Sequence, residues 1–166
     1  MINTFKKVAV TLALVGFAGL ASATPLTIGS WDAFSFGDVG SVNQFTISVA
    51  AGNHVKIKLT DGFIIGDEFS YSIDGGVAQF TSDADANDGI DSLASDGDAA
   101  WADLRLSHAY FNLFAGNHTI DIIHTENALG FTGGTAFIRA DIPEPATLAL
   151  FGLALAGFGM SRRKRA

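Results

Sequence analysis

The chain has 166 residues, 48% of them hydrophobic, no cysteine and a formal charge of −7. With no cysteine there is no disulfide to hold an exported domain and no thiol to carry a lipoprotein's lipid, so packing alone must stabilise the fold. Residues 24–142 hold 16 acidic side chains against Lys56, Lys58, Arg105 and Arg139, a net −12 that repels phosphate backbones and excludes nucleic acid as a partner.

The N-terminal 23 residues read as a secretory signal peptide. Lys6 and Lys7 form its positive start, and residues 8–20 are an apolar run of 13. That run is shorter than the roughly 20 residues of a membrane span. Ala21-Ser22-Ala23 offers the small-x-small pattern that signal peptidase cuts, with Ala21 and Ala23 as the recognised small residues and Thr24 as the new N-terminus. The expected partners of this end are the Sec translocon and signal peptidase.

Residues 24–142, 119 in number, are enough for one domain with its own core. Alternation of apolar and polar residues predicts strands over 44–50, 55–59, 69–73, 77–80, 110–114, 119–123 and 136–142. Asp74-Gly75-Gly76 is expected to turn one strand back on the next as a hairpin. No stretch of the body sustains a helical period. The expected fold is therefore all-β, a small antiparallel β-sandwich of jelly-roll-like form. Ten phenylalanines with Trp31 and Trp101 are available to fill its core. Ala-Gly-Asn-His occurs twice, ending at His54 and at His118. Each copy is expected to be a tight turn between two strands, and this structural reading is preferred over a metal site shared by the two histidines.

An acidic stretch over residues 82–103 is the best candidate for ligand chemistry. Asp83, Asp85 and Asn87 alternate, and Asp88 and Asp91 follow. Calcium takes about six to eight oxygen ligands on a flexible loop, and this spacing supplies several. The stretch departs from an EF-hand, because the glycine comes one place late at Gly89 and the twelfth position is Ala94. Calcium as cofactor and a solvated acidic connection are thus both open readings of it. Trp31, Trp101 or Tyr110, if exposed, would stack on sugar rings; Trp101 closes the acidic stretch, and a solvent-facing indole there would favour a binder, whereas burial of both tryptophans would indicate a plain core role.

The C-terminus has three parts: Pro143-Glu144-Pro145, an apolar stretch over 146–160, and a tail over 161–166 containing Arg162, Arg163, Lys164 and Arg165. The prolines bias the backbone toward an extended form that a processing enzyme can grip. The apolar stretch is expected to be a short transmembrane helix, about 22 Å long at the helical rise per residue. The basic stop keeps its end cytoplasmic under the positive-inside rule. Both ends would then face the cytoplasm with the body looped across the inner membrane.

In its order of motif, Thr-Leu-Ala-Leu start, glycine-spotted helix and basic tail, the segment over 142–165 closely resembles the PEP-CTERM sorting signal. That resemblance implies an exosortase as partner, a membrane-embedded enzyme that cuts at or near Pro143-Glu144-Pro145. It further implies a Gram-negative source that makes exopolysaccharide, an inner-membrane-anchored precursor, and a mature form at the cell surface or in the extracellular matrix of a biofilm. The body, with Gly66-Asp67-x-Phe69, the repeated Ala-Gly-Asn-His and the final Phe137-x-Arg139-x-Asp141, is similar to secreted β-rich domains found before this signal.

No nucleophile elbow, zinc-protease helix, phosphate loop or dinucleotide fingerprint occurs in the chain. The expected role is that of a non-enzymatic structural or interaction component associated with exopolysaccharide, with a carbohydrate-binding module, calcium-dependent or not, as the alternative.

Overall fold

A computed structural model describes residues 22–83 and 88–143. The strands in chain order are β1 (Thr24–Pro25), β2 (Trp31–Phe36), β3 (Val42–Asp61), β4 (Glu68–Ile73), β5 (Gln79–Phe80), β6 (His108–Glu126) and β7 (Gly134–Asp141). One short helix, α1 (Gly97–Ala102), precedes β6.

Two of these strands, β3 and β6, are 20 and 19 residues long, and they organise everything else. They pair antiparallel along nearly their whole length, Val42 opposite Ile123 at one end and Thr60 opposite His108 at the other. Hydrogen bonding runs in the order β2-β7-β3-β6-β4-β5, with β1 added in parallel to β3. The neighbours sort by position: β7 pairs with Lys56 to Asp61 of β3, whereas β4 pairs with residues from Ile120 to Glu126 of β6. One layer therefore consists of β2, β7, the second half of β3 and the first half of β6. The other contains β1, β4, β5 and the remaining halves.

The bend between the layers falls at the two Ala-Gly-Asn-His segments. The register passes from Val49 opposite Gly116 to His54 opposite Phe114, so four residues of β3 face Ala115 alone. Extra residues on one strand break the ladder and sharpen its twist. Gly52 and Gly116 supply the positive φ this corner needs, at 81° and 148°. The expectation of two hairpin turns is corrected here. Both segments lie inside continuous strands: Gly116, Asn117 and His118 pair with Val49, Ser48 and Ile47, and His54 pairs with Phe114, so each copy is bonded to the other strand rather than to its own flank. The inward-facing set in β6 changes phase across the corner, from Phe111 and Leu113 to Ile120 and Ile122. That is the side-chain flip a register slip produces.

The two layers close on a single core. Phe34 of β2 meets Phe45 of β3 at 5.2 Å between ring centroids, and Phe36 meets Phe69 of β4 edge-on at 4.9 Å. Tyr71 and Phe111 stack at 4.6 Å with 12° between planes. Burying such rings, with Ile57, Leu59, Ile120, Ile122 and Ile138 fully enclosed, is the main stabilising term of a domain without disulfides. The molecule is thus the small antiparallel β-sandwich expected.

The Asp74-Gly75-Gly76 turn forms as expected. Asp74 and Gly75 both have positive φ, 53° and 70°, and the Gly76 amide closes onto the Ile73 carbonyl at 2.8 Å. Strand β2 and helix α1 were not expected. The helix is capped by Asp96, whose side chain accepts from the Ala99 amide at 2.9 Å. It packs Ala100 with Ile65, Leu106 and Phe137 into a second, smaller apolar cluster on the outside of the first layer. Among the described residues no helix is long and apolar enough to cross a membrane. Of the expected signal peptide over 1–23 all but Ser22 and Ala23, and all of the apolar stretch over 146–160, lie outside the described residues.

Candidate functional site

The outer face of the first layer gathers the unusual side chains of the body. Strand register places Trp31 of β2 opposite Arg139 of β7, Arg139 opposite Lys58 of β3, and Lys58 opposite Tyr110 of β6. These four residues form one row across four strands. In the adjoining row Asp141 lies opposite Lys56, and Lys56 opposite Asn112. The row arises because alternate residues of a strand share a face, and the inward positions on either side, Ile57, Leu59, Ile138 and Ala140, are committed to the core.

Helix α1 sets Trp101 beside this row. Its indole lies 6.2 Å from that of Trp31 and 5.4 Å from the His108 ring. Both tryptophans are half-buried, and Tyr110 is 63% exposed. Each cation of the face lies against an aromatic ring: Lys56 at 4.4 Å from the Tyr110 centroid, Lys58 at 5.5 Å from Trp101, and Arg139 at 5.8 Å from Trp31. Such contacts fix the cation's position without consuming its charge.

Two carboxylates balance part of that charge. The Arg139 guanidinium donates from Nε to Asp141 at 2.6 Å, and Lys58 donates to the other oxygen of the same carboxylate at 3.1 Å. Burial pushes the Asp141 carboxyl up, but the bonds from Arg139 and Lys58 outweigh it and hold the group below its usual range. Asp98 of α1 accepts from the Trp31 indole at 2.8 Å and from Arg139 at 3.3 Å. The face therefore carries three cations, two carboxylates and three aromatic rings, in a body whose fourth cation, Arg105, is bidentate on Asp103 with its Nη2 at 2.6 Å.

The sequence-derived candidates fall out as follows. Trp101 is at the face and half-buried. Asp85 and Asn87 of the calcium candidate lie outside the described residues. Asp88 accepts from the Leu129 amide at 2.6 Å and Asp91 from the Leu93 amide at 2.8 Å, so each spends an oxygen on backbone. Asp83 lies in the described part beside β5. Among the described residues no group of three or more side chains is arranged to hold a metal ion. His54 lies 6.2 Å from the Phe114 ring, whereas His118 bonds to Asp74 at 2.8 Å and to the Phe114 carbonyl at 2.9 Å. Of the processing residues, Thr24 begins β1 and Pro143 is the last residue described; Ala23 is described just before the strand. Ala21, Glu144, Pro145, Arg162, Arg163, Lys164 and Arg165 lie outside the described residues.

Sequence reasoning named Trp31, Trp101 and Tyr110 as stacking candidates but missed Lys56, Lys58 and Arg139 beside them. It also missed a buried polar cluster at the far end of the core, where His124 bridges the Gly37 carbonyl at 2.9 Å and Asp67 at 3.1 Å, between the Phe36 and Phe69 rings. Asp61 is fully buried nearby, with one oxygen on the Gly62 amide at 2.7 Å and the other without a hydrogen-bond partner among the described residues.

Comparison with known families decides the C-terminal end. A family model described as a PEP-CTERM protein-sorting motif matches residues 141–164, beginning at the last residue of β7. The chain carries a PEP-CTERM sorting motif. A PEP-CTERM motif implies export, a membrane-anchored precursor and processing by an exosortase. No match was found among curated proteins. Similar solved structures include the pre-peptidase C-terminal domain of collagenase from Bacillus anthracis, 15% identical at a TM-score of 0.44, with 71% of this chain and 93% of that one covered. A CBM35 domain from Cellvibrio japonicus Abf62 is 14% identical at a TM-score of 0.39, covering 72% and 78%. A further CBM35, solved with a glucuronic acid containing disaccharide, is 13% identical at 0.37, covering 72% and 84%. Matches this shallow say nothing about ligand or activity.

Proposed function

We propose that this PEP-CTERM protein is a non-catalytic component of an exopolysaccharide matrix, delivered to the cell surface or beyond by exosortase processing at Pro143-Glu144-Pro145. Its body attaches to polysaccharide through the outer face of the first layer. The observation that carries the binding role is the gathering of Trp31, Trp101 and Tyr110 on one face with three of the body's four cations. Aromatic rings stack on the apolar faces of sugars, and the charged groups between them fix orientation. This supports the carbohydrate-binding alternative as the way the interaction role is performed.

The sorting half is tested by expressing the full chain in an exosortase-positive host and in its deletion strain. Intact mass is expected to give a product from Thr24 to the neighbourhood of Pro145, released only where the enzyme is present. A product retaining Arg162 to Arg165 in both strains would reduce the C-terminus to a membrane anchor. The binding half is tested by retention of the processed protein on the host's own polysaccharide, with loss of retention expected in Trp101→Ala.

A further inference from the structure

The charge of the face is at odds with the charge of the body. A net of −12 over residues 24–142 leaves only four cations to place, and three of them, Lys56, Lys58 and Arg139, occupy two adjoining rows of one sheet. Arg139 and Lys58 are direct cross-strand partners. Like charges directly opposite one another destabilise a sheet unless a counter-charge lies between them. Asp141 relieves the pair by giving one oxygen to each, and Asp98 reaches Arg139 from the helix. One cation remains in excess over the two carboxylates. Lys56 is held over the Tyr110 ring.

We propose that this face selects acidic polysaccharide, a chain of sugars bearing carboxylates in the manner of a polyuronate. The inference rests on the reading of the face as a sugar-binding surface and names its substrate class. A uronate ring has an apolar face and one carboxylate, and exposed Tyr110 with Lys56 presents the matching pair, with Trp101 and Lys58 beside it and Arg139 held behind them by Asp141 and Asp98. Neutral sugars would use the rings and leave Lys56 unmatched. A polyanion without rings would use the cations and leave the indoles idle. The remaining negative charge of the body does not forbid this, because at physiological ionic strength it is screened beyond about 8 Å. A guanidinium and two ammonium groups beside low-dielectric rings act at shorter range than that.

The test uses the processed protein from an exosortase-positive host and three probes: polygalacturonate, the same polymer after reduction of its carboxyls to alcohols, and polyglutamate. Calorimetry is expected to show binding to polygalacturonate that weakens at least about tenfold on the carboxyl-reduced polymer, the loss of one charge contact by affinity arithmetic. Binding should weaken with added salt. Lys56→Gln is expected to lose several-fold in affinity with an unchanged melting temperature, and Trp101→Ala to lose binding to both sugar polymers. Equal binding to the acidic and reduced polymers overturns the acid selection while leaving the sugar-binding reading standing. Equal binding to polyglutamate and polygalacturonate shows charge alone at work and overturns the sugar class. Binding to none of the three overturns the inference and the reading beneath it together.

Discussion

The Trp31 indole donates to Asp98 at 2.8 Å, a bond that ties the short helix α1 to strand β2 across 67 positions of sequence. It fixes the plane of one aromatic ring of the face, and through the helix it fixes Trp101 as well.

Asp98→Ala is expected to free that ring. A single hydrogen bond at an open site contributes about 1 kcal/mol, so the melting temperature should fall by only a few degrees. Tryptophan fluorescence should shift to the red and lose polarisation. An unshifted emission spectrum would mean that packing alone holds Trp31.

Gly97→Ala tests the same contact from the other side. A methyl group at this position would overlap the Trp31 ring, since the backbone of α1 rests directly on the indole. The variant is expected to keep its fold, since α1 lies outside the main core, yet to lose most polysaccharide retention. Wild-type retention in a folded Gly97→Ala protein would remove Trp31 from the binding surface.

Asp61 makes the stability of the sandwich depend on pH. Burial, with the charge of Asp67 second, pushes its carboxyl up to about 9, far above the ordinary carboxylate range. The folded state therefore keeps a proton that the unfolded chain releases, and stability is lost progressively as pH rises through that window. Asp61→Asn mimics the protonated acid and should match the wild type near pH 4, then exceed it increasingly toward pH 9. Denaturant midpoints at four pH values give the curve; a constant difference between the two proteins would show that Asp61 does not titrate on unfolding.

His118 acts in a narrower window. Its two ring nitrogens face acceptors only, the Asp74 carboxylate and the Phe114 carbonyl, so both carry protons in the bonded form. The bond it donates to the Asp74 carboxylate, then that to the Phe114 carbonyl, raises its pKa above 6.5. A raised folded value means the contribution is complete below the unfolded pKa and disappears as pH climbs past the folded one. His118→Gln should cost about 0.5–1 kcal/mol at pH 5, in the range of exposed ion pairs, and less at pH 9. Equal costs at both would assign the residue a packing role only.

Much of the sandwich was legible because its strands alternate against a single core. Val55, Ile57 and Leu59 are inward, with Lys56 and Lys58 between them, and the sequence reads that way without help. The short helix was not legible, since six residues give less than two turns of period. Strand β2 was hidden because Trp31 and Ala33 are apolar on its outer side too, which blurs the alternation that Phe34 and Phe36 carry. The corner misled for a definite reason: Gly-Asn is the chemistry of a hairpin turn, and only the pairing of residues 60 positions apart shows the strands running on. The binding face depends on the same long-range register. Trp31, Arg139, Lys58 and Tyr110 have no spacing in common, and only the order of the strands makes them a row.

The place where the chain leaves the sandwich has a mechanical meaning. The Gly29 amide bonds the Ala140 carbonyl at 2.8 Å, so the first and last segments of the domain depart from one end. Strand β7 is held along its length by β2 on one side and by β3 on the other. Tension between a membrane tether beyond Ile142 and a polymer gripped by the outer face would load β7 along its axis. The ladder would then resist in shear, all bonds at once, as a lap joint does, where a strand peeled from its end would give way one bond at a time.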